Sequence, residues 1–98
     1  MPLNHVALTV SDREESAAFC GKHFGLTNRI HDDDHLLILG SGDGSNLALS
    51  EGAPVAAELP RTNHFGFRLA DESAVRAARD VRVQVADPDG YRAELYAY

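Results

Sequence analysis

The sequence carries one short pattern twice, and this internal repeat restricts the possible folds more than any other feature. Asn4-His5-Val6 opens an alternating apolar and polar run in the first half, and Asn63-His64-Phe65 opens a similar run in the second half. Each run is followed by an aspartate and a segment with helical character. Because one such unit cannot bury a sheet face alone, the two copies should combine into a single domain spanning residues 1–98.

The first copy, about residues 1–52, predicts a strand, a helix and three further strands. Ser11-Asp12 is typical of a helix start, and either Glu14 or Glu15 is placed to complete a capping box. Gly25 fits the helix end. Alternating or β-rich runs predict strands at 3–10, 26–30, 36–39 and 46–50.

A linker at about 53–61 leads to the second copy, about 62–98, which is shorter than the first. His64 lies 59 positions after His5, whereas the Asp-Gly turn at Asp89 lies only 46 positions after its counterpart at Asp43. The second copy is therefore about 13 residues short. The shortfall falls between Asp80 and Val81, because residues 81–85 already predict the strand before the final turn.

Two explanations of the shortfall remain open. Either the chain has a deletion between residues 80 and 81, or a segment has been removed from the sequence at this point. We favour the second, because the loss of an internal strand would expose the edge of a sheet. A helix end and one strand of the repeat are the parts that are missing.

The predicted fold is α+β, with two βαβββ modules forming a curved mixed sheet and the helices outside. The helices cover the apolar strand faces, because strand side chains alternate between the two sides of a sheet. The opposite faces should line the concave side of the sheet. The side chains on that side are His5, Ala7, Thr9, His64, Gly66, Arg68, Arg92, Glu94 and Tyr96.

His5, His64 and Glu94 are the candidate metal ligands. The two histidines occupy matched positions of the repeat, and Glu94 lies on the same predicted face in the last strand. Two imidazoles and one carboxylate with open positions suit Fe²⁺, Mn²⁺ or Zn²⁺. Taken singly, each histidine has an ordinary interpretation as a hydrogen-bonded or surface residue, and Glu94 as a solvated carboxylate.

Composition excludes several classes of protein. No apolar run of the 98 residues approaches the roughly 18 that a membrane span requires. The start of the sequence lacks the pattern of a signal peptide, and one cysteine cannot form an internal disulfide, so a cytoplasmic location is expected. The net charge of −6 argues against a nucleic-acid partner, whose phosphates attract a basic face.

Three segments together resemble a known family. Leu-Asn-His-Val-Ala-Leu-Thr-Val at 3–10, Asn-His-Phe-Gly-Phe at 63–67 and Asp-Pro-Asp-Gly-Tyr-Arg-Ala-Glu-Leu at 87–95 are similar to the vicinal oxygen chelate superfamily. This superfamily includes glyoxalase I, bleomycin-resistance proteins, fosfomycin-resistance transferases and extradiol dioxygenases. The resemblance covers nearly the whole chain, and its motifs are more specific for the fold than for the reaction.

The resemblance implies a cup of paired βαβββ modules that holds a divalent metal ion, often completed across a homodimer in chains this short. In this sequence His5, His64 and Glu94 occupy the ligand positions. The implied activity is that of a metal-dependent dioxygenase, lyase or transferase acting on a small oxygen-chelating substrate. The alternative is a metal-free protein, like the bleomycin-resistance proteins, that sequesters a small cationic ligand.

Each named reaction lacks one residue that the family would lead us to expect. The fourth ligand of glyoxalase I falls at Ala48, which cannot coordinate a metal or accept a proton; a shifted register would place Glu51 there instead. The tyrosine of the extradiol dioxygenase signature falls at Gln84. The threonine with which fosfomycin-resistance proteins contact their substrate falls at Ala7.

Other residues have both a functional and an ordinary interpretation. Arg68 and Arg92 either hold a carboxylate or phosphate of the substrate or form salt bridges at the rim. Tyr96 either donates to a metal-bound oxygen, as a catalytic acid, or only lines the cup. The segment His31 to His35 is a second possible metal site, although a solvated hairpin loop explains it better. Cys20 fits a buried structural thiol better than a nucleophile.

Overall fold

The computed structural model describes residues 1, 3–55, 58–60, 63–68 and 82–96. The chain divides into two compact units, which are residues 1–55 and 56–98. The elements are β1 (His5–Val10), α1 (Arg13–Phe24), β2 (Asn28–Asp32), β3 (Leu37–Gly40), β4 (Asn46–Glu51), β5 (Phe65–Arg68), β6 (Arg82–Ala86) and β7 (Arg92–Tyr96).

The first unit contains the predicted strand, helix and three strands. Its sheet has the order β1-β4-β3-β2, in which β1 and β4 are parallel and the other neighbours are antiparallel. The core of the unit is aliphatic and includes the thiol of Cys20, which is only 2% exposed, so the prediction of a buried thiol is confirmed. The other large buried side chains are Val10, Leu26, Leu37, Leu39, Leu47 and Leu49.

Local hydrogen bonds fix both ends of α1. The Asp12 carboxylate accepts from the backbone N–H groups of Glu14 at 3.0 Å and Glu15 at 3.1 Å, as the sequence predicts for an N-cap. Gly25 ends the helix at φ 70°, a left-handed conformation that favours glycine. The Glu14 carboxylate departs from the predicted capping box, because it accepts from Arg29 Nη2 at 2.5 Å.

Ion pairs and a tight turn account for the polar segment at the exposed edge strand β2. Every residue of β2 is exposed, and Arg29 also contacts Asp32 at 3.1 Å. In the loop that follows, the Asp33 carboxylate accepts from the N–H groups of His35 and Leu36, both at 2.8 Å. The N–H of His35 is the main reason that the pKa of Asp33 falls to about 2. The segment therefore has a structural explanation as a hairpin loop.

The second unit repeats the parallel pairing of the first. Its sheet has the order β5-β7-β6, with β5 parallel to the central strand β7 and β6 antiparallel to it. The strand predicted at 81–85 is confirmed as β6. The predicted helix at 72–79 and the junction between residues 80 and 81 lie outside the described residues.

The strand registers confirm the two offsets of the repeat. Ala7 pairs with Ala48 in the first unit, and Gly66 pairs with Glu94 in the second. Gly66 follows Ala7 by 59 positions, and Glu94 follows Ala48 by 46 positions. Since β6 pairs with β7 as β3 pairs with β4, the strand of the first unit that has no counterpart among the described residues is β2.

The turn before β7 aligns the last strand. Asp87 Oδ1 accepts from the N–H of Asp89 at 3.0 Å and of Tyr91 at 2.8 Å, and Gly90 adopts φ 92°. Partial burial raises the pKa of the Asp87 carboxyl, although the bonds from Tyr91 and Asp89 act in the opposite direction.

Among the described residues, no helix is long and apolar enough to cross a membrane.

The N-cap of α1 can be tested through the stability of the first unit. We expect Asp12→Ala to lower the free energy of unfolding by about 0.5–2 kcal/mol, because two backbone N–H groups lose their acceptor. Asp12→Asn is the matched control, since asparagine caps about as well as aspartate. The measurement is chemical denaturation followed by circular dichroism. Equal stability of Asp12→Ala and the wild type would contradict the assignment.

Candidate functional site

Glu94 is a buried carboxylate in the middle of the second sheet. It lies on the central strand β7, where it is flanked by Gly66 on one side and by Gln84 on the other. Glu94 is only 6% exposed, whereas Arg92 and Tyr96, its neighbours on the same face, are half-buried. The interpretation of Glu94 as a solvated carboxylate is therefore wrong. A buried carboxylate is stabilised by hydrogen bonds or by a cationic partner.

The second unit brings His64 and Glu94 together, as the sequence predicts. His64 directly precedes β5, and its Nε2 lies 3.4 Å from Oε2 of Glu94. The His64 side chain is 36% exposed, whereas that of Glu94 is 8% exposed. The pair thus joins a buried carboxylate to an imidazole that reaches solvent.

The geometry of this pair fits a metal ion. An imidazole nitrogen and a carboxylate oxygen belong to the donor set that suits Fe²⁺, Mn²⁺ and Zn²⁺. Two atoms that each lie about 2.1 Å from one ion are about 3.0 Å apart at adjacent octahedral positions and about 3.4 Å apart in tetrahedral coordination. The observed separation of 3.4 Å is therefore one that a shared ion would produce with little rearrangement.

His5 is the counterpart of His64 in the first unit. It begins β1, is exposed, and its Nδ1 lies 3.0 Å from Oδ1 of Asn4. Within each unit taken separately, the described residues contain no group of three histidine, cysteine, aspartate or glutamate side chains that could hold a metal ion. The role of His5 as the third ligand stays a prediction.

The position of the fourth glyoxalase ligand is occupied by a small apolar side chain. Ala48 is 6% exposed and holds the register position in β4 that Glu94 holds in β7. Glu51, the alternative carboxylate, pairs instead with Val10 at the exposed end of β4 and lies 4.0 Å from Arg13. The register shift that would bring Glu51 into the ligand position does not occur.

Two guanidinium groups share the strand face that carries Glu94. Arg68 is the exposed cross-strand partner of Tyr96, and Arg92 precedes Glu94 by two residues on the same strand. In the part of the chain that the structure describes, neither arginine forms an ion pair with a carboxylate. Salt bridges at the rim, the ordinary interpretation of these two arginines, are therefore not seen among the described residues.

Gly66 is a residue whose contribution the sequence reasoning missed. A Cβ added at Gly66 would lie 3.1 Å from Cε1 of Tyr96, so the tyrosine ring lies over the glycine. A glycine inside a strand often marks the close approach of another group, and this was the available signal.

No protein-family model matches the sequence, and no curated protein matches it. Solved structures do match. A structure described as a possible glyoxalase from Bacillus cereus is 28% identical, with a TM-score of 0.74 and coverage of 98% of each chain. The fosfomycin resistance protein FosX from Listeria monocytogenes is 20% identical, with a TM-score of 0.78, and the match covers 99% of this chain and 91% of that one.

Glyoxalase I from Leishmania major is 19% identical, with a TM-score of 0.69, and the match covers 99% of this chain and 86% of that one. These similarities extend over nearly the whole sequence and agree with the mixed α+β architecture. The resemblance found in the sequence is therefore confirmed: the chain has the fold of the glyoxalase and FosX proteins, which are members of the vicinal oxygen chelate superfamily.

Proposed function

We propose that this protein is a divalent-metal-dependent enzyme that acts on a small, anionic, oxygen-chelating substrate. The observation that supports this most is the buried Glu94 carboxylate of β7, which lies 3.4 Å from Nε2 of His64, the residue directly before the neighbouring strand β5. Burying a carboxylate is unfavourable unless a cation or hydrogen bonds compensate it. A metal ion shared with His64 would be a cationic partner for Glu94 and would leave positions open for substrate oxygens.

The proposed ligand set is His5, His64 and Glu94, with Fe²⁺, Mn²⁺ or Zn²⁺ as the ion. Such an ion, when bound, acts as a Lewis acid or as a site of oxygen activation. With Ala48 at the fourth position, the chain lacks the carboxylate that glyoxalase I uses for proton transfer. We therefore favour dioxygenase-, lyase- or transferase-type chemistry. If His5 of a second copy completes the site, the protein is a homodimer.

Arg68, Arg92 and Tyr96 are proposed to act on the substrate. Both guanidinium groups lie on the Glu94 face, where they would bind a carboxylate, phosphate or phosphonate. Tyr96 lies two residues beyond Glu94 on that face, from which its hydroxyl would donate a hydrogen bond or a proton to a substrate oxygen. The FosX structures are fosfomycin resistance proteins, so the phosphonate fosfomycin is a suitable first probe.

Glu94→Gln tests the metal site. We expect the wild type to bind one Mn²⁺ per chain or per shared site, and Glu94→Gln to weaken binding at least about 100-fold, because even residues behind the ligands contribute 10- to 100-fold. His64→Ala should give a similar loss. The measurement is isothermal titration of the metal-free protein, supported by metal analysis of the purified protein.

Glu51→Gln is the matched control for this titration, because it removes an exposed carboxylate of the first unit. Its Mn²⁺ affinity should equal that of the wild type. If the wild type binds no stoichiometric divalent metal, the proposal fails. Binding of a cationic ligand that survives both EDTA and Glu94→Gln would instead indicate a metal-free binding protein.

Arg68→Gln and Tyr96→Phe test the substrate side of the site. Each should weaken the binding of fosfomycin to the Mn²⁺-loaded protein by roughly tenfold, as expected for the loss of one charge-assisted or polar contact. Neither should change the affinity for Mn²⁺ itself. Arg29→Gln removes an equal charge from the first unit and serves as the control. If all three variants bind fosfomycin equally, the anionic substrate class is wrong.

A further inference from the structure

A neighbouring side chain limits the space for a Cβ at residue 66. Its backbone does not adopt a left-handed φ, so the backbone itself admits any side chain. A Cβ at this position, however, would lie 3.1 Å from Cε1 and 3.5 Å from Cδ1 of Tyr96, and 3.4 Å from the backbone oxygen of Glu94. The shortest of these distances requires the ring to move by a few tenths of an ångström. The tyrosine ring therefore lies against the space into which a side chain at residue 66 would project.

The first unit has no aromatic ring at the position that corresponds to Tyr96. Ala7 and Ser50 occupy the positions that Gly66 and Tyr96 occupy in the second unit, according to the paired registers. The side chains at these two positions therefore change size in opposite directions between the first unit and the second. Where residue 7 has a methyl group, residue 50 is small; where residue 66 has none, residue 96 is a tyrosine.

We propose that Gly66 is a positioning residue that seats the ring of Tyr96 beside the His64–Glu94 pair. Gly66 is the cross-strand partner of Glu94, so a ring lying over Gly66 lies next to the candidate ligand. In this position the ring lies along one side of Glu94, and the direction of the Tyr96 hydroxyl is fixed. This inference rests on the proposed function, because the seat has a chemical purpose only if Glu94 binds a metal.

The first experiment observes the seat in the metal-free protein. Nuclear Overhauser contacts between the Gly66 α-protons and the ring protons of Tyr96 are expected in the wild type. Their presence or absence shows whether the Tyr96 ring contacts Gly66, and this holds whether or not the protein binds a metal. Absence of these contacts would overturn the inference.

The second experiment is a double-mutant cycle on Mn²⁺ affinity, with the metal alone as the probe. The four proteins are the wild type, Gly66→Ala, Tyr96→Ser and the double variant, which carries the residue pair that the first unit already uses. Gly66→Ala should weaken Mn²⁺ binding by roughly tenfold in the wild-type background, as for other residues behind a ligand. In the Tyr96→Ser background the same change should have less than about a twofold effect.

The cycle separates positioning from a simple structural role. An equal loss in both backgrounds, or no loss in either, would overturn the inference, because Gly66 would then not act through Tyr96. Amide spectra of the four proteins show whether β6 and β7 keep their pairing. If the wild type binds no Mn²⁺, the proposed function fails, and the proton contacts alone then support or overturn the seat.

Discussion

The parallel pairing of the first and last strands in each unit is the constraint on which the candidate site depends. In both units this pairing sets the same register, so that Ala7 faces Ala48 and Gly66 faces Glu94. Side chains paired in this way emerge on the same side of a sheet. The histidine that lies two residues before Ala7 or Gly66 is therefore on the same side as one position on each last strand, Ala48 or Glu94. In the second unit, that position is a carboxylate.

The two units use this common frame unequally. In the first unit, Ala48 and Ser50 are small side chains at the corresponding positions, and His5 Nδ1 lies 3.0 Å from Oδ1 of Asn4. In the second unit, a buried carboxylate, an imidazole and a tyrosine ring are packed along two adjacent strands. The proposed metal ion would be a cationic partner for this buried carboxylate. The asymmetry supports a site with three protein ligands rather than four.

Much of this arrangement could be predicted from the sequence, because it depends on local signals. Asp12 and Gly25 mark the ends of the helix, and the period-2 alternation places His64 and Glu94 on one face. The 59- and 46-residue offsets follow from the motifs alone and match the pairing of the strands.

Burial and close packing were harder to predict, since they depend on which strands become neighbours. Glu94 is buried because β7 is the central strand of its sheet, and alternation alone suggested a wetter face. The contact between Gly66 and Tyr96 joins residues 30 positions apart, and a glycine inside a strand indicates only that some group comes close, not which one. Likewise, the Glu14 carboxylate binds Arg29 across the helix–strand boundary and not its own helix end.

The proposed metal site can be tested by a crystal structure of the Mn²⁺-loaded protein with an anomalous difference map at the manganese absorption edge. We expect one strong peak about 2.1 Å from Glu94 Oε2 and His64 Nε2, with His5 of the same or a partner chain as the third protein ligand. No peak at the His64–Glu94 pair, or a peak held by other side chains, would contradict it.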